Sequence, residues 1–496
     1  MLNKIAVIGS GFAGLSAAIE AAHQGCEVHV FEKNKDLGGR ARKFEVDGFA
    51  FDMGPSWYWM PDVFENFFAR YNKKVSDYYQ LHRLDPSYKV VFPDGTMDIP
   101  ASIEALKKEL DILEPGAGNH FQTFMDDAKI KYEVGMNKFV QKPSHSVMEF
   151  AELSIAKDAL KLHLFKSFSK YIRKYFKHPR ILQLLEFPVL FLGAKPEKTP
   201  ALYSLMNYAD SQLGTWYPMG GMHEIIKGFV SLAKEKDVQF HSSSTVEEIL
   251  IDKGIANGLR VNGQNHHFDG IIAAADYHHV DQHLIPAAYR MYGENYWNTR
   301  TMSPSSMLYY VGVKRKVKGL KHHNLFFDTD FDEHAKLIYD TPSWPKDPLF
   351  YVCAPSKTDE SVAPEGYENL FFLVPLAPGL KDSEQMRENY LKLILDRIAK
   401  QTGDNFENDI VYTRSYAHKE FIEDYNAYKG NAYGLANTLL QTAFLKPKMR
   451  SKKVDRLYFA GQLTTPGPGV PPSIISGCIA TGELLKEIND KQPAVA

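Results

Sequence analysis

The first 32 residues constrain the fold of this chain more than any other stretch. An apolar run, Ile5-Ala6-Val7-Ile8, meets Gly9-Ser10-Gly11-Phe12-Ala13-Gly14, then a helical stretch over Leu15–His23 that Gly25 stops. A second apolar run, Val28–Phe31, ends at Glu32. Strand, glycine turn, helix and strand within about 30 residues predict a βαβ unit. In that setting Gly9 permits the tight turn, Gly11 lets backbone approach a pyrophosphate, and Gly14 allows close helix–strand contact. The helix start offers free N–H groups and a positive dipole end to phosphates. Glu32, with Lys33 beside it, lies where a carboxylate can reach ribose hydroxyls. The expectation is a dinucleotide site built on Gly9, Gly11, Phe12, Ala13, Gly14, Glu32 and Lys33.

Which dinucleotide is decided further along. Leu37-Gly38-Gly39-Arg40-Ala41-Arg42 follows the second strand. Gly39 lets the backbone fold over a cofactor, and Arg40 can neutralise a pyrophosphate or sit by a flavin. Within Phe51–Ser56, the Gly54-Pro55-Ser56 run offers backbone that can pass close to a flat ring. Far downstream, Arg456–Ala460 reads as a strand running into Gly461 and Gln462. A Gly/Pro loop over Thr464–Ser473, holding Gly469, Val470 and Pro471, then leads to a helix over Ile474–Ile488. Proline is well tolerated in the first turn of a helix. A helix start aimed at a flavin's pyrimidine edge would stabilise the reduced, anionic ring by its dipole. These features point to FAD. There is no second G-x-G-x-x-G, which favours a flavin reduced by its substrate and re-oxidised by oxygen or a quinone.

Length and composition bound the rest. The 496 residues leave room for two or three domains. With 58 Lys/Arg against 60 Asp/Glu the net charge is −2, which gives no reason to expect nucleic acid as a partner. Three scattered cysteines, Cys26, Cys353 and Cys478, suit neither a disulfide framework nor a zinc site, and imply a reducing compartment. No signal peptide and no apolar window of roughly 18 residues is present, so no spanning helix is expected. Adjacent histidines such as His266-His267, His278-His279 and His322-His323 would point to opposite faces of a strand, so no metal site is expected.

The fold class expected is α/β. A Rossmann-like FAD-binding domain is assembled from residues 1–105, 218–285 and 450–490. Residues 106–217 and 286–449 form an inserted mixed α+β, largely helical domain for substrate and membrane contact. Within the first unit, 238–275 is rich in strands, fitting a meander and then a return to the sheet. Within the second, Asp158–Tyr175 carries Phe165, Phe168, Ile172 and Tyr175 at near-helical spacing, with Phe176 just beyond. Between 157 and 180 there are eight Lys/Arg against Asp158 as the one acid.

Together these motifs resemble the bacterial phytoene desaturase family of carotenoid biosynthesis, within the wider amine oxidase-like flavoproteins. The likeness rests on Gly9–Gly14, Leu37–Ala41, Phe51–Trp57 with Tyr58-Trp59-Met60-Pro61, Tyr217–Met222, Asn426–Leu435 and Gly461–Thr481. The resemblance implies that Glu32 holds the adenosine ribose, that Arg40 lies near the flavin and that the backbone of Val246 pairs with adenine. Gly461 and Gln462 would then sit by the ribityl–pyrophosphate link. Many flavoproteins carry an acid where Gln462 stands; carotenoid desaturases typically do not.

The activity implied is FAD-dependent oxidation of CH–CH groups, converting phytoene stepwise to neurosporene or lycopene. Carbons beside an isolated double bond are too weakly acidic for a side-chain base, so the cofactor does the difficult step and no catalytic side chain is assigned. Trp57, Tyr58 and Trp59 could line a tunnel or pack as plain core. A basic helix with an aromatic face could lie on an anionic lipid surface and collect the polyene there. That implies a cytoplasmic protein held peripherally on the inner face of the cell membrane. The rival readings are a C30 desaturase, a 3,4-desaturase or a carotene isomerase. A further rival is a non-catalytic prenyl-chain binder like the Rab escort and dissociation-inhibitor group.

Overall fold

The computed structural model describes residues 2–144, 146, 163, 166–190, 193–438 and 440–490. Its first layer is a five-stranded parallel sheet. The strands lie in the order Leu457–Phe459, Gly270–Ala273, β1 (Lys4–Ile8), β2 (Glu27–Phe31) and Gln239–His241. Central β1 is covered on both faces, which is why it reads as an unbroken apolar run. Its side chains alternate between two cores. Ile5 and Val7 meet α1 (Phe12–His23) and the helices His223–Lys234 and Val470–Asp490. Ala6 and Ile8 meet an antiparallel meander, Val246–Asp252, Ile255–Val261 and Gln264–His267. The meander then returns to the sheet at Gly270, as the sequence predicts.

A second sheet of seven strands carries the remaining bulk. Its order is Ile410–Tyr416, Ser305–Val313, Glu368–Leu376, Phe350–Cys353, His323–Phe326, Tyr88–Phe92 and Gly95–Ile99. Only the His323–Phe326 and Tyr88–Phe92 pair is parallel. One face, with Met307, Tyr309 and Val311, packs on the helix Glu384–Thr402 through Ile394 and Ile398. The other, with Leu308, Tyr310, Tyr351 and Phe371, meets Phe49, Phe51 and the helices over 103–134 and 179–190.

Four expectations are corrected. Residues 88–99, placed by sequence in the first unit, pair into the second sheet, because Tyr88–Phe92 lies in register beside His323–Phe326. α1 begins at Phe12 rather than Leu15, directly after Gly11. The late helix begins at Val470 rather than Ile474, so Pro471 and Pro472 form its first turn, where missing N–H donors cost nothing. Of the expected basic helix at Asp158–Tyr175, residues 158–162, 164 and 165 lie outside the described residues. The described part is a five-residue helix, Phe168–Ile172. There Phe168, Ile172 and Phe176 are 0% exposed and join the main core, so this aromatic face packs on protein rather than lipid. Lys170, Lys174 and Lys177 remain exposed. Among the described residues no helix is long and apolar enough to cross a membrane.

Candidate cofactor site and apolar cavity

The glycines of the first turn do three different things. Gly9 has φ +96°, a backbone state that side chains resist. A Cβ built on Gly14 would lie 1.9 Å from the Gly9 carbonyl oxygen, so only glycine lets α1 start this close to β1. A Cβ on Gly11 would meet nothing within 4 Å. Gly11 therefore borders open space at the helix start, where a phosphate would lie. Phe12 and Ala13 are buried behind it. Gly39 closes over the turn, its built Cβ falling 3.1 Å from Gly11 Cα, while Gly38 N–H donates to the Ser10 carbonyl at 3.1 Å.

Glu32 sits at the end of β2, 5% exposed. One carboxylate oxygen accepts from Ser10 N–H (3.0 Å) and Ser10 Oγ (2.7 Å), the other from Asn34 N–H (2.9 Å) and Asn34 Nδ2 (3.1 Å). These donors fix the carboxylate beside the glycine turn. Sequence reasoning found Glu32 and missed Ser10 and Asn34, whose role depends on β1 and β2 lying side by side.

Lys33 and Val246, 213 positions apart in sequence, line one open cleft of about 490 Å³. Lys33 Nζ donates to the Glu423 carbonyl (2.6 Å) and to Asn426 Oδ1 (3.2 Å). His279 and His283 also line it, a role that the sequence does not assign to them. Burial pulls the His279 imidazole down to about 4, so it faces the cleft as a neutral ring. A cleft lined by the Lys33 ammonium, the neutral His279 ring, the Glu247 carboxylate and the strand start at Val246 suits a nucleotide base and its ribose.

Arg40 joins this groove to the downstream segment. Its guanidinium lies 5.1 Å from the centre of the Tyr425 ring. Burial lowers its basicity, opposed chiefly by the carboxylate of Asp276. Asp276 is itself pushed up to about 6 by burial, although Arg40 and the backbone N–H groups of His279 and Tyr428 favour its charged form. In the orientation that satisfies its amide, Gln462 accepts from Arg40 Nη2 (3.1 Å) and donates to the Ala432 carbonyl (3.3 Å). A neutral amide here leaves Arg40 free to answer a cofactor's charge, and its buried Nε has no hydrogen-bond partner among the described residues. A Cβ on Gly54 would lie 2.3 Å from the Arg40 carbonyl oxygen, which explains the glycine before Pro55 and Ser56.

The downstream loop reaches the same turn. Gly461 has φ +108° and donates its N–H to Ser476 Oγ at 3.0 Å. Its built Cβ would lie 3.7 Å from Ala13 Cβ. Gly477, not singled out in the sequence, lets the Val470–Asp490 helix cross α1 closely, since its built Cβ would be 2.2 Å from the Ala13 carbonyl oxygen. Gly469 is exposed and Val470 and Pro471 are half-buried, so this helix start is open to a ligand. Contacts thus tie Gly11 to Gly39, Glu32 to Ser10, Arg40 to Gly54 and Gln462, and Gly461 to Ala13, and the chemistry of these residues fits FAD.

Beyond Ser56 the surroundings become apolar. Trp57 stacks on His323 with ring centres 4.1 Å apart, whereas Tyr58 and Trp59 are 1% and 8% exposed and serve as core. The Tyr351 hydroxyl meets His323 Nδ1 at 2.6 Å and also interacts with Ser56 and Cys353. Tyr351 in turn lines a cavity of about 90 Å³ walled by Phe187, Leu325, Phe331, Leu373 and Tyr433. Typical ligand pockets hold roughly 300–1,000 Å³, so a long ligand enters only as these side chains part.

The expectation that His322 and His323 diverge is wrong. His322 precedes its strand, and the two ring centres are 4.4 Å apart. With Cys353, which pairs in register with His323, they place potential ligand atoms within 4.8 Å of one another. Burial lowers His322 to about 3 and raises the Cys353 thiol to about 12, leaving a neutral cluster. Asp52 is pushed up to about 6 by burial but caps a helix, accepting from Met222 N–H (2.7 Å) and His223 N–H (2.9 Å).

Known proteins share this arrangement. The family model described as flavin containing amine oxidoreductase matches residues 12–485. A carotenoid 3,4-desaturase from Haloarcula japonica is 44% identical over 488 residues, covering 98% of this chain and 99% of its own length. A 4,4'-diapophytoene desaturase from Staphylococcus aureus is 32% identical over 499 residues, covering 98% and 99%. The solved structure of cyclohexylamine oxidase from Brevibacterium oxydans matches with a TM-score of 0.61 at 15% identity, covering 99% and 100%, which reflects the shared fold. With a groove that fits FAD and likeness along nearly its whole length, the chain belongs to the flavin containing amine oxidoreductases, as an FAD-dependent oxidoreductase of the carotenoid desaturase family.

Proposed function

We propose that the chain introduces a C=C bond at the 3,4 position of a carotenoid, rather than carrying phytoene through to lycopene. The observation behind this reading is the 44% identity to a 3,4-desaturase across 98% of the chain, against 32% for a diapophytoene desaturase. The apolar cavity beside Ser56 suits a hydrocarbon, and among the described residues that line it there is no carboxylate to hold a charged amine.

When bound, FAD supplies the two-electron oxidation of a CH–CH pair. Gly11, Gly39 and the start of α1 would hold its pyrophosphate, Glu32 its ribose, and Lys33 and Val246 its adenine. Arg40 and Gln462 would meet the link to the ring. Ser56, Trp57 and Tyr351 fix where the hydrocarbon can approach, and the packed aromatic wall excludes water. Asp52 is committed to a helix cap and His323 to Tyr351. The proton released beside an allylic cation needs no stronger base than water or a neutral imidazole.

Oxygen or a quinone is the acceptor class consistent with a chain that has one glycine fingerprint. Delivery from a membrane surface is supported by exposed Lys170, Lys174 and Lys177. Lys174 also presses the Lys166 ammonium down to about 8.

The test is expression in two colourless-host backgrounds, one making phytoene and one making lycopene, followed by pigment chromatography and absorption spectra. A longer-wavelength pigment from lycopene, with phytoene untouched, is the expected result. Colour from phytoene would instead restore stepwise phytoene desaturation. No new pigment from either, with FAD-loaded protein present, would overturn desaturation of these C40 carotenoids.

A further inference from the structure

Lys446 carries a charge that nothing among the described residues around it answers. Its side chain is 2% exposed, and among the described residues its Nζ has no hydrogen-bond partner. Burial alone pulls its ammonium down to about 7, with no carboxylate opposing the effect. Asn437, also 2% exposed, leaves its Oδ1 without a partner. Both atoms face Gly467: a Cβ built there would lie 3.3 Å from Asn437 Oδ1 and 3.4 Å from Lys446 Nζ. An ammonium buried without a counter-charge opposes folding. The arrangement therefore calls for an anion brought by another molecule.

The position of Gly467 says which anion. Gly461 touches Ala13, so the loop leaves the fingerprint turn there. It then runs through Gln462, against which Gly434 packs, and through Gly467 to the open helix start at Val470. The pyrophosphate is already served by Gly11, Gly39 and Arg40 at the other end of this line. A bound FAD would extend its ring from that end along the loop toward Gly467.

We propose that Lys446, held with Asn437 beside Gly467, is the counter-charge for the two-electron-reduced flavin, acting together with the helix start at Val470. Oxidation of the hydrocarbon breaks one C–H bond with transfer of two electrons and that hydrogen to the ring, and the neighbouring carbon loses a proton. The ring is left with one negative charge, which the ammonium neutralises. The acceptor, oxygen or a quinone, later takes both electrons together with two protons, one from the ring and the one lost by the neighbouring carbon, and the charge is gone.

The test is the flavin midpoint potential of FAD-loaded full-length protein, measured by dye equilibration without substrate. Lys446→Met is expected to weaken the preference for reduced over oxidised FAD at least tenfold, a fall of about 30 mV for a two-electron couple. Lys446→Arg should restore the wild-type potential. Asn437→Asp, which sets a carboxylate beside the ammonium, should lower the potential as Met does. A wild-type potential in Lys446→Met, or Arg behaving like Met, would overturn the proposal.

One measurement needs no variant. Photoreduction of the wild-type protein below neutral pH should give the spectrum of anionic reduced flavin, and the neutral reduced form would overturn the proposal. Because none of these readings uses a carotenoid, failure of the 3,4-desaturase reading leaves them intact, and their failure leaves that reading intact.

Discussion

Gly11 and Gly14 stand three residues apart and invite the same description, yet their surroundings make opposite demands. A side chain at Gly14 would collide with the Gly9 carbonyl, whereas one at Gly11 would enter open space that the cofactor needs. Gly14→Ala should therefore destabilise the protein itself, by about 1–3 kcal/mol as for other overpacked sites. Gly11→Val should leave the FAD-free protein within about 1 kcal/mol of wild type, since surface substitutions cost little, while abolishing FAD retention. Thermal melts of both variants stripped of FAD, together with flavin absorbance after gel filtration, check this. Equal melting losses in the two would refute it. The glycine motif was legible because its spacing follows from covalent geometry. Ser10 and Asn34 as clamps on Glu32 were not, because their bonds form only once β2 lies beside β1.

At the scale of elements, the segment Tyr208–Leu213 buries Asp210 against Tyr88 of the second sheet, whose hydroxyl donates to Asp210 Oδ2 at 2.7 Å. Burial raises this carboxyl from 3.8 to about 7, outweighing the bonds from Tyr88 and Thr215. A raised folded-state value means the folded chain binds the proton more tightly than the unfolded one. The stabilisation is complete below about 3.8 and is lost as pH rises through about 7. Asparagine mimics the neutral acid at every pH. Asp210→Asn should thus gain stability relative to wild type progressively between about pH 4 and 7 and hold that gain above. Denaturant melts at several pH values measure the difference, and a constant difference would disprove the assignment. Element boundaries were partly legible: the meander over 246–267 matches the strand-rich reading of 238–275, while the late helix gained a turn because Pro471 and Pro472 read as loop but sit where prolines are tolerated.

For the molecule as a whole, the proposed passage of a hydrocarbon from lipid to the cavity beside Ser56 makes its demand on the surface. Phe168, Ile172 and Phe176 are spent on the core, so the described part of this region offers lipid only its charge. Replacing Lys166, Lys170, Lys174 and Lys177 by serine should reduce co-sedimentation with anionic vesicles, most clearly at low salt where surface charge is least screened. FAD content should not change, as none of these side chains lines the cleft at Lys33 and Val246. Vesicle binding unchanged in low salt would argue for delivery through another surface.

The sequence by itself determined the βαβ start, the cofactor class and the family, because these rest on backbone requirements that recur at set spacings: glycine at a tight turn, an acid at a strand end, proline in a first helical turn. Tertiary structure decided the rest. It joined Lys33 to Val246 across 213 positions, set Gln462 against Arg40, and moved residues 88–99 into the second sheet. It also turned an amphipathic face inward and left Lys446 buried without a counter-charge among the described residues. The physical reason is the same in each case. Burial and partnership are properties of the packed chain, and a side chain's charge, reach and cost depend on neighbours that only folding brings near.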